Sequence, residues 1–372
     1  MRKSIEGSHA VAEMIKLISP EVVATFPITP QTHIIEQLAQ YKADGVVDFE
    51  YVRAESEFAS ISIILGASAM GTRVYTASSS QGLLLMTEVL YNIAGMRLPV
   101  VMTAANRAIS APLNIWNDHQ DVMPFRDAGW IMLFAQNNQE AADLHLLAYK
   151  LAEKLSLPAM VCMDGFVLTH TYEPVDIPTA AQVRKMLPKY KPKKNSYLDV
   201  INPVSLGCFA TPEDYQEIRL ELHTDLLKSK NLYQQEAKKF KTIFKRDLNV
   251  IEYYGPKTAQ KVIVSLGAVS ETIKEVVDQV NKSKKSKVAA LNITMFRPFP
   301  KEEIKEILKN KKNVIVLDRA ISLGSGGILY NEVHESLCGT SVKVDGLVNG
   351  LGGRDVTVDY IKKSFIIRND NL

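Results

Sequence analysis

Cysteine is scarce in this chain. Cys162, Cys208 and Cys338 stand far apart, with no C-x-x-C pair among them. Such spacing excludes a disulfide framework and a zinc site, and it excludes an iron–sulfur cluster held by this chain alone, which normally takes four thiolates. Long apolar runs are missing too. No stretch reaches the ~18 uninterrupted apolar residues of a membrane-crossing helix, and the opening MRKSIEGSHAVAEMIKLISPEVV has no apolar secretion segment or cleavage site. The chain therefore reads as cytoplasmic, without membrane contact. Excess charge is small: 44 Lys and Arg against 41 Asp and Glu, net +3. The surplus lysines lack interleaved arginines and aromatics, so no nucleic acid partner is expected. G-x-S-x-G, Walker A and H-E-x-x-H motifs are absent, which removes the familiar hydrolase, NTPase and metalloprotease readings. The glycine clusters at Gly267, Gly324–Gly327 and Gly350–Gly353 lack the G-x-G-x-x-G spacing of a dinucleotide site.

What remains is an ordinary globular composition, 46% apolar and 23% charged over 372 residues, enough for two domains. Short apolar runs alternate with helical patterns through the first part, predicting an α/β sheet with helices on its faces. Strands are expected at Val22–Phe26, Val74–Ala77, Val100–Ala104 and Ala159–Met163, and helices at Thr32–Tyr41, Glu57–Met70, Leu83–Ala94 and Gln139–Leu155. Pro174–Lys194, rich in proline and lysine, reads as a surface connection, and a long polar helix is expected from Pro212 to Phe244. The α/β rhythm restarts at Lys261. Two domains follow, 1–245 with the connection and long helix at its end, and a smaller doubly wound unit, 246–372.

In open α/β sheets ligands gather beyond the C-terminal strand ends, so the strand-to-helix junctions are where chemistry is expected. At the first, Phe26-Pro27-Ile28-Thr29-Pro30, the threonine reads as an N-cap with proline at N1: a simple helix start, or a hydroxyl held against a small carboxylate. At the second, Glu57 opens a nearly all-apolar helix, either as a dipole complement or as a buried carboxyl needing a partner. At the third, Ser78-Ser79-Ser80-Gln81-Gly82 reads equally as an ordinary turn or as a close-approach surface. At the fourth, Arg107 suits two-pronged carboxylate binding, or a salt bridge to Asp118, Asp121 or Asp127. The cluster Asn117-Asp118-His119-Gln120-Asp121 lacks metal-ligand spacing and reads as a polar loop network.

Taken in order, FPITP, ESE, ASSSQGLLLM and NRAISAPLNIWNDHQD, followed by PAMVCMDGFVLTHTYEPVDIP, FRPFP and GLGGRDVT, closely resemble the α subunits of the 2-oxoacid:ferredoxin oxidoreductases, the pyruvate:ferredoxin oxidoreductase family. The resemblance covers nearly the whole chain. It implies a pyrimidine-type thiamine-diphosphate-binding doubly wound domain followed by a transketolase-C-terminal-like α/β domain. It also implies oxidative decarboxylation of a 2-oxoacid, foremost pyruvate, with coenzyme A as co-substrate and ferredoxin as acceptor. Thiamine diphosphate would be shared with a β subunit that carries the diphosphate-binding G-D-G…N-N segment, absent here, while Mg²⁺ and iron–sulfur clusters would sit on β, γ and δ-type partners. By the same resemblance Glu57 is the catalytic residue, hydrogen-bonding the aminopyrimidine N1′ so that N4′ can remove the thiazolium proton. Thr29 and Arg107 would bind the 2-oxoacid carboxylate beside the cofactor; no metal ligand is implied in this chain. The alternatives are the same chemistry on 2-oxoisovalerate or another 2-oxoacid, and a non-catalytic assembly paralogue. Arg297 reads as half of a structural salt bridge, and the Gly350–Asp355 loop as closing the fold or meeting another subunit.

Overall fold

The computed structural model describes residues 2–282 and 287–365. In chain order the strands are β1 (Arg2–Glu6), β2 (Val22–Thr25), β3 (Glu50–Arg53), β4 (Val74–Ser78), β5 (Val101–Asn106), β6 (Ile131–Phe134), β7 (Ala159–Asp164) and β8 (Tyr172–Asp176). The later ones are β9 (Ile251–Tyr254), β10 (Lys261–Ser265), β11 (Val288–Ile293), β12 (Met295–Arg297), β13 (Asn313–Asp318), β14 (Ile321–Ser322), β15 (Gly326–Gly327) and β16 (Lys343–Val348).

A seven-stranded sheet has the order β12-β6-β7-β5-β4-β2-β3, parallel except for the antiparallel edge strand β12. A five-stranded sheet runs β16-β13-β10-β11-β9, with β9 antiparallel. Central strands are buried on both faces, as a helix-covered parallel sheet requires, and β5 divides its side chains accordingly. Val101 and Ala105 enter one core with the helices Gly7–Ile18 and Asn138–Leu155, whereas Met102 and Ala104 enter another. That second core is continuous with Val262, Leu291 and Phe296 of the later unit, so one apolar mass spans both sheets.

The sequence placed the expected strands to within two residues but overlooked β3, β6 and the β1–β8 ribbon. The pattern expected as one helix over Leu83–Ala94 is two helices, Ser80–Leu85 and Thr87–Gly95, meeting at Met86. The proline- and lysine-rich connection also carries structure: it begins inside β8, and Thr179 and Gln182 form a reciprocal cap that starts a helix over Ala180–Met186. The long helix spans Pro212–Phe244, as expected. Its last turns bury Tyr233, Phe240 and Phe244, while Lys230 pairs with Glu302 and Glu303 of the later unit. Arg297 does form a structural ion pair, with Glu332, and lies over the Phe296 ring.

The site depends on one consequence of this topology. Strands β5, β4, β2 and β3 are adjacent and parallel, so their C-terminal ends lie along one edge of the sheet. The four junctions singled out in the sequence follow those four ends.

Candidate functional site

Glu57 is the first residue of the helix Glu57–Ala69, whose N-cap Ser56 accepts a hydrogen bond from Ala59 N at 3.1 Å. With that hydroxyl capping the helix, Glu57 is left over as a side chain and is buried, 7% exposed. It packs against Gly82 of the neighbouring helix: a Cβ at that glycine would lie 2.7 Å from Glu57 Oε1 and would also strike Ser78 Oγ. The glycine therefore makes room for the carboxylate. Among the described residues no hydrogen bond or ion pair engages that carboxylate, and on the adjoining segment the Ser78 and Ser79 hydroxyls and the Gln81 amide nitrogen are fully buried without partners. Buried polar groups are normally satisfied, so a carboxylate and a free Ser78 hydroxyl bordering a gap that any side chain would fill suit a polar ring edge supplied from outside, such as that of an aminopyrimidine.

Thr29 is not a helix cap. Gln31 N bonds back to Ile28 O at 2.9 Å, closing an extra turn, and the helix begins at Thr32 with Gln31 at the N-cap. Thr29 consequently lies exposed in the turn. Gln31, which the sequence reading passed over, is fully buried and pins the junction, its Nε2 donating to Phe26 O (2.9 Å) and Ala77 O (3.0 Å). A glutamine following two prolines at the head of an apolar helix was the available signal.

Arg107 reaches that turn. Its Nη1 donates to Thr29 O at 3.0 Å and its Nε to Asn114 O at 3.1 Å, and among the described residues no carboxylate pairs with its guanidinium. The alternative reading of a salt bridge is thus not met: carbonyl contacts fix the side chain instead. Burial lowers its pKa, and the nearby charge of Asp121 opposes that shift. Asp121 itself bonds the Arg107 backbone: Oδ2 accepts from Arg107 N (2.9 Å) and Ser80 N (3.0 Å), and Oδ1 from Asn106 Nδ2 (3.0 Å). Burial pushes its carboxyl up to about 7 despite those bonds.

The remainder of the Asn117–Asp121 cluster joins the two units as a polar network. His119 Nε2 lies 2.7 Å from Asp164 Oδ1 at the end of β7, and Asp164 Oδ2 accepts from Arg319 Nη1 (3.0 Å) and Ala268 N (2.8 Å). Burial alone would raise this carboxyl, but His119 and Arg319 override it and hold Asp164 down at about 2. Asp118 accepts from Gly352 N at 2.9 Å, and Gly353 N donates to Asn117 O at 2.7 Å. The Gly350–Asp355 loop therefore docks on the segment that follows Arg107. A cleft of about 810 Å³ between the long helix and the later unit contains none of these residues. Phe58, Leu85, Leu113 and Trp116, on the segments that carry Glu57, Gly82 and the Arg107-bonded Asn114, are exposed. Among the described residues no helix is long and apolar enough to cross a membrane, and no group of three or more His, Cys, Asp or Glu is arranged to hold a metal.

Residues 13–238 match a family model described as pyruvate flavodoxin/ferredoxin oxidoreductase, thiamine diphosphate-binding, and residues 259–361 match pyruvate:ferredoxin oxidoreductase core domain II. The chain is 44% identical over 371 residues to a pyruvate synthase subunit PorA of Methanothermobacter thermautotrophicus, covering 99% of this chain and 95% of that one. Against the same-named subunit of Methanocaldococcus jannaschii it is 46% identical over 365 residues, covering 97% and 93%. A ketoisovalerate oxidoreductase subunit VorA of Pyrococcus horikoshii is 40% identical over 365 residues, covering 97% and 92%. The fold is similar to a solved 2-oxoglutarate:ferredoxin oxidoreductase from Magnetococcus marinus, with a TM-score of 0.76 at 19% identity; the match covers 98% of this chain and 65% of that one.

Proposed function

The chain belongs to the pyruvate flavodoxin/ferredoxin oxidoreductase family, and from that premise we propose that it is the α subunit of a multi-subunit enzyme converting pyruvate, coenzyme A and oxidised ferredoxin to acetyl-CoA, CO₂ and reduced ferredoxin. The observation that carries the reading is the buried, unpartnered Glu57 carboxylate over Gly82, on the sheet edge that also carries Arg107 and Thr29.

The family's domain binds thiamine diphosphate. In our reading Glu57 holds the aminopyrimidine N1′ and shares a proton with it, while Gly82 lets the ring approach and Ser78, Ser79 and Gln81 offer polar contacts to its edge. Bound thiamine diphosphate supplies the nucleophile for the 2-oxo carbon and an electron sink for decarboxylation. Arg107, anchored through Nε and Nη1, keeps Nη2 for the substrate carboxylate, and the exposed Thr29 hydroxyl lies on the same turn. An anchored guanidinium orients the carboxylate without having to move, which favours a reactive alignment over tight ground-state binding.

The exposed apolar rim around these groups is the surface a β subunit would cover, bringing the diphosphate segment, Mg²⁺ and an iron–sulfur cluster. Subunits of γ and δ type would complete electron transfer and coenzyme A binding in a cytoplasmic complex. On the same reading, residues 1–245 form the pyrimidine-binding domain and 246–372 the transketolase-C-terminal-like domain.

Purification with its partner subunits, followed by coenzyme A-dependent viologen reduction on a panel of 2-oxoacids, tests the proposal. Pyruvate is expected to give the highest kcat/KM. Preference for 2-oxoisovalerate would reassign the substrate, and a complete complex with no 2-oxoacid-dependent reduction would show a non-catalytic paralogue.

A further inference from the structure

Asp121 belongs to none of the proposed binding groups, yet three of the site's segments converge on it. It is fully buried. All three of its hydrogen-bond donors are neutral: Ser80 N, Arg107 N and the Asn106 amide. The Arg107 guanidinium hydrogen-bonds the carbonyls of Thr29 and Asn114 and makes no ion pair with Asp121. A carboxylate in a dry site with only neutral donors is an expensive way to fill space, so its value must lie in what it holds.

What it holds is specific. One oxygen, Oδ2, takes both backbone N–H groups, which ties the residue carrying the substrate-orienting guanidinium to the turn beneath Glu57. Ser80 needs such a tie, because its φ of 50° lies in the left-handed region that side-chain-bearing residues seldom adopt. Its hydroxyl completes the restraint, with its single proton shared between Ala108 O and Gln81 Oε1. The turn sets where Ser78, Ser79, Gln81 and Gly82 stand, so Asp121 links the carboxylate-orienting half of the site to the cofactor-facing half.

We propose that Asp121 is a positioning residue that fixes the Arg107 backbone and the Ser80 turn in one frame, an inference that rests on the roles proposed above for Arg107 and Glu57. Its hydrogen-bonding geometry carries the role more than its charge does. Asn106 Oδ1 is buried without a partner on the far side of the amide that faces Asp121. In Asp121→Asn the new amide oxygen takes over both backbone donors, and a half-turn of the Asn106 amide presents that orphaned oxygen to the new NH₂. Both backbone donors then keep their acceptor, and the unpartnered place beside Asn106 passes from its oxygen to its NH₂. In Asp121→Ala two backbone N–H groups lose their acceptor, and both segments can shift.

The test uses the complete enzyme with partner subunits and compares Asp121→Ala, Asp121→Asn, Asp121→Glu and Arg107→Lys. Loss of the shared acceptor is expected to raise the KM for pyruvate by about tenfold or more in Asp121→Ala, with the KM for coenzyme A unchanged and Asp121→Asn close to wild type. Asp121→Glu decides the matter if the alanine variant fails to assemble: its longer arm pushes the two N–H groups apart, so an assembled complex with raised pyruvate KM supports the role. An unchanged pyruvate KM in the assembled alanine or glutamate variant overturns it, as does an equal loss for both substrates. Arg107→Lys separates the premises. If it leaves the pyruvate KM unchanged, the reading of Arg107 fails; if it raises that KM while the Asp121 variants do not, only the positioning role fails.

Discussion

A buried carboxylate without a donor is a liability in the free chain, and Glu57 is one. Its retention over Gly82 makes sense if its partner arrives from outside, because a group tuned for a ligand is commonly worse for the apo fold than a neutral substitute. Glu57→Gln separates the two roles. In the complete enzyme turnover should fall by ~100-fold or more, the usual worth of a positioned proton-transferring group, since an amide cannot share a proton with a ring nitrogen. In the isolated subunit the same change should leave the melting temperature unchanged or nearly so, because no hydrogen bond is lost. Near-normal turnover in the complex would refute the role for Glu57. Thr29 and Gln31 divide their work differently from what the sequence suggested: the glutamine supplies the buried anchors, and the threonine is left free at the turn.

At the scale of elements, the site is made by helices that begin where adjacent parallel strands end, and by glycine where two of them must nearly touch. Gly82→Ala puts a methyl group against Ser78 Oγ and 2.7 Å from Glu57 Oε1. The methyl would also lie 2.8 Å from Glu57 Cγ, so the Glu57 side chain must move as a whole, and unfolding should change by about 1–3 kcal/mol, the usual range of overpacking costs. That movement takes the Glu57 carboxylate off its station, so activity should drop by about tenfold or more even with thiamine diphosphate in excess. Denaturant melts alongside activity assays would expose the mismatch; a large stability loss with intact specific activity would make the contact purely structural. Much of this element plan was legible beforehand, because central parallel strands are continuous apolar runs and each is followed by a helical period. The parts that were not legible have physical reasons. β3, Glu50–Arg53, is an edge strand with charged residues at both ends, and β12 comes from the later unit to close the other edge. The split at Met86 leaves the apolar periodicity uninterrupted. The role of Asp121 could not be read from its neighbours in sequence, since its partners lie 14, 15 and 41 residues away.

Across the whole molecule, the two sheets share one apolar core and a buried polar clamp in which Asp164 meets His119, Arg319 and Ala268 N. The clamp couples the later unit to the strand end beside the site, and it titrates in the opposite sense from the buried carboxyls of Asp121, Glu140 and Asp318. Asp164 is held at about 2, below its ordinary 3.8, so its contribution to stability is present above the ordinary value and is lost as pH falls through about 2. Asp121, Glu140 and Asp318 are each pushed up to about 7 by burial, so their contribution is complete below the ordinary carboxyl range and is lost as pH rises through 7. His145, lowered to about 4 by burial, works against them only below its ordinary 6.5. The three carboxyls outweigh that one histidine below 6.5 and act unopposed by it above, so the isolated subunit should become progressively less stable from about pH 4 to about pH 7 and level off beyond. Asp164→Asn should lower stability by ~3–5 kcal/mol above about pH 4, because Arg319 is left buried without its counter-charge, and the gap should narrow as pH falls toward 2, where the wild-type carboxyl becomes neutral. It should thereby abolish the part of the acid-side loss that lies between about pH 4 and about pH 2, while leaving the decline between about pH 4 and about pH 7 in place, since the groups responsible for that decline are elsewhere. Equilibrium denaturation of both proteins across this range measures both limbs. A variant whose acid limb matches wild type would show that the clamp is not what the carboxylate of Asp164 sustains.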